Sequence, residues 1–373
     1  MFFSKDTERV KNQKAEPRNV ISIFCGYPRI LSWGSKRNEF ETTATKLAIL
    51  SYSVMPTNKP KIGPSKVPTV SLTRFLTLHS IRAAWKSYFP GTTTYVSSLN
   101  RAFKSHRLIP PDQWVQQHSR YSTVGTAYDY LVGVMIGNDS LHSPLERAER
   151  VVSNSPELAK RFILLRRLLE TEIPKVREGS GEEDAFDFYR GLGALADLDA
   201  MFRSLLVPLP EWITSSQVVG LPSLRLVIRR NYPTQFVREL QQLCAVTVRD
   251  LPVCSTVVYN PVFGGLSKIP LAADGDFILD DLLLELKVSV NLFKGNHLWQ
   301  LLGYVALDHL KGENRIKRVG LYNPRYRAFW TESVEVLITQ IGGKTFGSFC
   351  VWFRKNASPS NVRQAIVQDR EKY

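Results

Sequence analysis

A chain of 373 residues with 43% hydrophobic content is longer than one typical domain and too apolar for general disorder. Its formal net charge of +15 points to an anionic partner, either nucleic acid or a membrane surface. No stretch approaches ~18 consecutive apolar residues, which argues against a membrane span. The charge is uneven: residues 1–120 hold 19 Lys or Arg against 6 Asp or Glu, whereas 146–199 is net acidic. Four cysteines, Cys25, Cys244, Cys254 and Cys350, show no Cys-x-x-Cys spacing. Together with the lack of a secretory-type apolar core behind the N-terminal charges, that predicts a reducing, cytoplasmic setting.

Residues 1–20 are polar and charged, and 56–69 place Pro56, Pro60, Pro64 and Pro68 among lysines, which reads as a linker or extended loop. Helical spacing starts at 71–88 with Leu72, Phe75, Leu76, Ile81 and Trp85. Arg74, Arg82 and Lys86, interleaved there, suit a phosphate backbone or a solvated helix face equally well. A short apolar helix carrying Asp129 is expected over 122–136, and a strongly helical stretch over 144–206 broken by an acidic loop at 178–187. Residues 234–246 form an amphipathic helix on which Glu239 is either an extra ligand or simply exposed. Val253 to Tyr259 reads as a strand, Val319–Tyr322 and Arg327–Trp330 as a hairpin turning at Asn323-Pro324, and 331–341 as a final helix. Arg325 and Arg327 flank that turn and are weaker candidates for phosphate contact.

The most informative segment is 274–289, where two apolar runs flank Asp280-Asp281. With those aspartates as the turn, Leu279 faces Leu282, Ile278 faces Leu283, Phe277 faces Leu284, and Asp276 faces Glu285. Opposed carboxylates would lie roughly 5 Å apart, a destabilising like-charge pair unless neutralised. A divalent cation would neutralise it, since hard cations take carboxylate oxygens. Lys287 projects from the same strand face as Glu285. Leu282, Leu283, Leu284, Leu286 and Val288 predict burial on both faces, which sets this reading against an ordinary exposed Glu285–Lys287 pair on an edge strand.

Asp276 followed by Glu285-Leu286-Lys287 resembles the signature of the PD-(D/E)xK nuclease superfamily. Downstream, Gln300 and Tyr304 in a Gln-x-x-x-Tyr element are similar to the one that follows the active site in RecB-type exonuclease domains. Upstream, Gly125 to Asp129 resembles the Gly-x-x-x-His helix that opens that core, with Asp129 where the family usually has a histidine. The likeness covers 122–135 and about 232–332, with its elements in the family's order.

The resemblance implies an α+β fold: a restriction-endonuclease-like core of a small mixed sheet flanked by helices, with a helical N-terminal region and a helical insertion. The division expected is a basic, partly flexible segment 1–70; a helical part 71–136 that includes the first core helix; an insertion 137–231; the nuclease-like core 232–345; and a C-terminal strand and tail 346–373. Asp276, Glu285 and Lys287 would be catalytic. Asp276, Glu285, Asp129 and the Leu286 carbonyl would hold Mg²⁺ or Mn²⁺, the aspartate in place of histidine tilting the choice to Mg²⁺.

By the same resemblance, Gln300 and Tyr304 would bind the nucleic-acid strand or orient catalytic groups, and Lys294 in the preceding loop would contact phosphate. His297 is expected to face solvent at the helix start. No iron–sulfur cluster is expected, because only Cys350 follows the Gln-x-x-x-Tyr element. The function implied is a metal-dependent nuclease, acting on DNA more readily than RNA, in defence or repair. The competing readings are an inactive nucleic-acid-binding protein on the same scaffold, and a module that binds a protein partner through the insertion.

Overall fold

The computed structural model describes residues 69–106, 121–136, 141–178, 182–203, 208–342 and 344–371. The segment 1–68, with its Pro- and Lys-rich stretch and Cys25, lies outside the described residues. The described chain opens with strand β1 (Val70–Ser71) and helices α1 (Leu72–Thr77), α2 (His79–Tyr88) and α3 (Thr92–Phe103). The Ser71 hydroxyl caps α1 by accepting from the Arg74 N–H at 3.2 Å. A second run of helices follows: α4 (Tyr121–Met135), α5 (His142–Val152), α6 (Pro156–Glu178), α7 (Glu182–Arg203), α8 (Glu211–Thr214), α9 (Leu221–Asn231) and α10 (Thr234–Asp250). Then come β2 (Val257–Tyr259), β3 (Val262–Gly264), β4 (Leu271–Asp274), β5 (Phe277–Leu279) and β6 (Leu282–Leu286). The chain ends with α11 (Gly295–Lys311), β7 (Arg318–Asn323), β8 (Ala328–Ser333), α12 (Val334–Gly342), α13 (Phe346–Asn356) and α14 (Pro359–Arg370).

The molecule is of the mixed α/β kind, with two sheets. The larger runs β2-β5-β6-β7-β8, with β6 and β7 parallel and the other neighbours antiparallel; the smaller runs β1-β4-β3. Helix α11 is the crossover that a parallel β6–β7 pair requires. The β5–β6 hairpin has the register its sequence implies, Phe277 with Leu284, Ile278 with Leu283 and Leu279 with Leu282. Asp280 takes a left-handed φ of 55° at its turn, and its carboxylate accepts from the Ser255 and Thr256 N–H groups, both at 2.9 Å. Asp281 pairs with Arg318 at 2.6 Å.

Strand alternation divides the interior into two cores. Phe277, Leu279, Leu282, Leu284 and Leu286 join the side chains of α4–α10, while Ile278, Leu283, Val319 and Leu321 join those of α1–α3 and α11–α14. The sheet is therefore buried on both faces, which explains why β6 reads as an unbroken apolar run.

Several expectations need correcting. Residues 182–187 are helical rather than part of an acidic loop, because Phe188, Leu192 and Leu195 give α7 a buried stripe. Asp187, 2% exposed, is held by Arg190 and by Arg225 and Arg229 of α9, partners invisible to local sequence reading. The strand read at 253–259 shortens to Val257–Tyr259, and 331–333 extend β8 because they pair with 318–320. The C-terminal strand and tail of 346–373 is two helices over its described part, since Phe346, Phe349, Cys350 and Phe353 recur at helical spacing and turn inward. Helix α4 packs with α7 and α10 in the core that faces Phe277 and Leu284. Among the described residues no helix is long and apolar enough to cross a membrane.

Candidate active site

Only Gly275 and Asp276 separate β4 of the small sheet from β5 of the large one, so Asp276 sits where the chain changes sheets. Gly275 is packed under Phe263 and Leu283, where a Cβ would come within 3.1 Å of the Phe263 ring. The Asp276 carboxylate reaches across the hairpin to accept from the Leu286 N–H at 2.6 Å. That bond places it beside Glu285, as continuation of the register requires.

Glu285, 3% exposed, lies on the α11 side of β6 with Leu283. Its Oε1 accepts from Lys287 Nζ at 2.7 Å and from Gln300 Nε2 at 3.0 Å. Its Oε2 is buried and has no hydrogen-bond partner among the described residues. The Lys287 N–H donates to the Tyr322 carbonyl at 2.8 Å, so β7 fixes the backbone from which the ammonium reaches back. The Lys287 side chain retains 19% exposure against 5% for Glu285, so it lies nearer the open side of the cluster.

Burial, reinforced by the Asp276 charge, pushes the Glu285 carboxyl up to about 7 against the pull of Lys287. Burial would lower the Lys287 ammonium, but Glu285, Asp276 and Asp129 together outweigh it and raise its pKa, so it stays protonated. For Glu285 the linkage sign is that of a raised carboxyl. The folded state holds a proton the unfolded state releases from 4.5 upward, so stability is lost as pH rises to about 7. In EDTA, Tm should therefore fall across that window, and Glu285→Gln should flatten the fall. Parallel Tm-versus-pH curves for the two proteins would contradict this.

Asp129 arrives from the other side of the sheet. Gly125, Asp129 and Gly133 recur every four residues on one face of α4. A Cβ on Gly125 would lie 4.0 Å from the Val288 side chain, and one on Gly133 only 2.4 Å from the Tyr259 ring. These glycines let α4 approach the end of β6 and the edge strand β2, and the Tyr259 hydroxyl donates to the Asp129 carbonyl at 3.4 Å. The Asp129 carboxylate is then close enough to act on Lys287.

Among the described residues no group of three His, Cys, Asp or Glu side chains forms a ready metal cage. The donor set nonetheless fits a hard cation. Two carboxylates face each other and the Glu285 Oε2 lacks a partner. Leu286 lies between Glu285 and Lys287, with its N–H committed to Asp276.

Gln300 and Tyr304 are brought to this cluster by α11, but from beneath it. Gln300 Nε2 also donates to the Tyr304 hydroxyl at 2.5 Å, and that hydroxyl donates to the Asp274 carbonyl at 2.8 Å. Tyr304 is 2% exposed and stacks on Phe263 with centroids 5.1 Å apart. Of the two roles the resemblance allows, orienting Glu285 is the one this geometry suits. If the cluster is catalytic, Tyr304→Phe should lower the turnover rate about tenfold, the worth of one hydrogen bond, with KM unchanged. A rise in KM at constant kcat would instead make Tyr304 a substrate contact.

Lys294 is exposed at the N-cap of α11 and makes no ion pair with the carboxylates among the described residues. His297 does not face solvent: it is half-buried and its Nδ1 accepts from the Lys294 N–H at 3.2 Å. Burial, with the charges of Lys287 and Lys294, pulls its imidazole down to about 3, so it is neutral near pH 7. Glu239 is neither ligand nor exposed; it forms a buried ion pair with Arg325, and Arg327 pairs with Asp250 through Nε at 2.9 Å. One residue was missed. Asn323, read as a turn former, is fully buried and its amide holds the Ser289 and Asn291 carbonyls at 3.0 and 3.2 Å. It thereby shapes the loop from Lys287 to Lys294, and no sequence signal marks that role.

Compared with family models, curated proteins and solved structures, the chain matches none.

Proposed function

We propose that this protein is a metal-dependent nuclease that hydrolyses phosphodiester bonds in DNA. The observation that carries the reading is the gathering of Asp276, Glu285 and Lys287 at the end of one buried hairpin, with Gln300 on Glu285 and Asp129 nearby. Charged side chains inside such a sheet are costly, and a bound cation would help to offset the cost. Asp276, Glu285 and Asp129 would hold Mg²⁺ or Mn²⁺. Bound there, the ion would neutralise charge on the phosphate and acidify an attacking water.

The chain's own groups supply the rest. Gln300 and Tyr304 fix the Glu285 rotamer, so the carboxylate is already oriented before substrate arrives. Lys287, protonated and nearer the open side, counters charge building on the phosphate.

The test is incubation with linear and circular DNA, single- and double-stranded, in Mg²⁺, Mn²⁺ or EDTA, beside Lys287→Ala. Metal-dependent products that vanish in the variant would support the reading. Binding without products in any metal would favour the inactive scaffold.

A further inference from the structure

A cleft of about 710 Å³ opens between α2, the start of α3 and the first turn of α11. Arg82 and Lys86 line it from α2 and Lys294 from α11, and no acidic residue contributes to its wall. All three cations are exposed, and none makes an ion pair among the described residues. That sets them apart from Arg74, Arg315, Arg318 and Arg327, each of which is neutralised by an aspartate. Three like charges around one concavity repel one another, and a polyanion would relieve that repulsion.

Hydrogen bonds fasten the walls to one another. The Asn100 side chain of α3 clamps the Phe293 backbone from both sides, donating to its carbonyl at 2.8 Å and accepting from its N–H at 3.1 Å. Buried Thr92 accepts from Trp299 Nε1 at 3.2 Å, tying α3 to α11 at the cleft floor. The cleft also adjoins the candidate active site. Trp299 of its lining precedes Gln300 on α11, whose Nε2 donates to Glu285 at 3.0 Å. The aromatic residues of the lining, Phe89 and Trp299, are buried, so no ring is offered for base stacking.

Resting on the nuclease reading, we infer that this cleft is a second phosphate-binding subsite. It grips the sugar–phosphate backbone of the DNA strand being cut, beyond the scissile bond, through Arg82, Lys86 and Lys294. Contacts of this kind position a strand without reading its sequence.

The experiment compares the full-length wild type with Arg82→Gln/Lys86→Gln, with Lys294→Gln and with a control, Lys355→Gln/Arg363→Gln, of equal charge loss on α13 and α14. Binding of a labelled single strand and its duplex is measured in EDTA across a salt series, and KM and kcat in Mg²⁺. Loss of two phosphate contacts should reduce the slope of log K against log salt by about 1.4 for the single strand or about 1.8 for the duplex, irrespective of sequence. KM should rise with kcat unchanged, while the control stays close to wild type. Lys294→Gln, a change at an exposed side chain, gives the same direction with half the effect and guards against misfolding of the double variant.

If wild type cleaves and the cleft variants match it in slope and KM, the subsite is wrong and the nuclease stands. A wild type that binds without cleaving, with the slope lost in the cleft variants, keeps the subsite and removes the nuclease. No binding by the wild type overturns both.

Discussion

Lys287→Ala is expected to reduce DNA cleavage by about 10²–10³-fold, the usual effect of deleting one preorganised group that faces transition-state charge. Glu285→Ala should go further, roughly 10³-fold or more, because it removes a carboxylate of the proposed cation site and with it several kcal/mol of charge stabilisation. The two variants should differ in stability. Without Lys287, Glu285 and Asp276 face each other with no ammonium between them, so the metal-free protein should melt lower near neutral pH. Adding Mg²⁺ should recover much of that loss by mass action on the folded state. Without Glu285, the like-charge pair no longer exists, and added Mg²⁺ should shift Tm little. Initial cleavage rates and thermal melts in EDTA and Mg²⁺ measure both effects. Wild-type rates in purified Lys287→Ala would sink the catalytic assignment.

Arg325→Ala should destabilise the fold by about 3–5 kcal/mol without touching the site's chemistry. Arg325 is fully buried in the 3₁₀ turn Pro324–Tyr326 between β7 and β8, and it meets Glu239, 1% exposed, on α10. The pair fastens that turn to the helical layer. Truncating the arginine leaves the glutamate charge buried without its guanidinium, whereas Arg325→Met with Glu239→Leu removes both charges together. The double variant should therefore be neutral or more stable than wild type by ~1–4 kcal/mol. Urea denaturation gives the comparison directly. A wild-type midpoint for Arg325→Ala would mean that the pair does not clamp the turn. DNA binding by the folded single variant should be unchanged, since Arg325 is out of reach of any phosphate.

Local rules accounted for a large part of the centre of the molecule. The β5–β6 hairpin was legible to the residue because a two-residue turn and a period of two leave a single register, and every side chain's face follows from it. The same parity puts Glu285 and Lys287 together and sets Asp276 opposite. The Gly125-x-x-x-Asp129 spacing likewise implied a helix over 122–136, though not what its face would meet.

What stayed hidden depended on partners far away in sequence. Asp187 looked like a loop residue because Arg225 and Arg229, which neutralise it, lie on another helix. Glu239 looked exposed because Arg325 is 86 positions downstream. The C-terminal helices were missed because their apolar stripe has meaning only against the aromatic side chains of α2, with Trp85 packed against Phe349 and Trp352.

By itself, then, the sequence determined the hairpin, its register and the identity of the acidic and basic groups at its end, since these follow from backbone geometry over a dozen residues. Tertiary structure alone decided that Gln300 and Tyr304 lie under Glu285, that α4 packs Asp129 against Tyr259 of β2, and that Arg82, Lys86 and Lys294 share one cleft. Those outcomes depend on how two cores pack against opposite faces of one sheet, and packing is a property of the whole chain that no local spacing encodes.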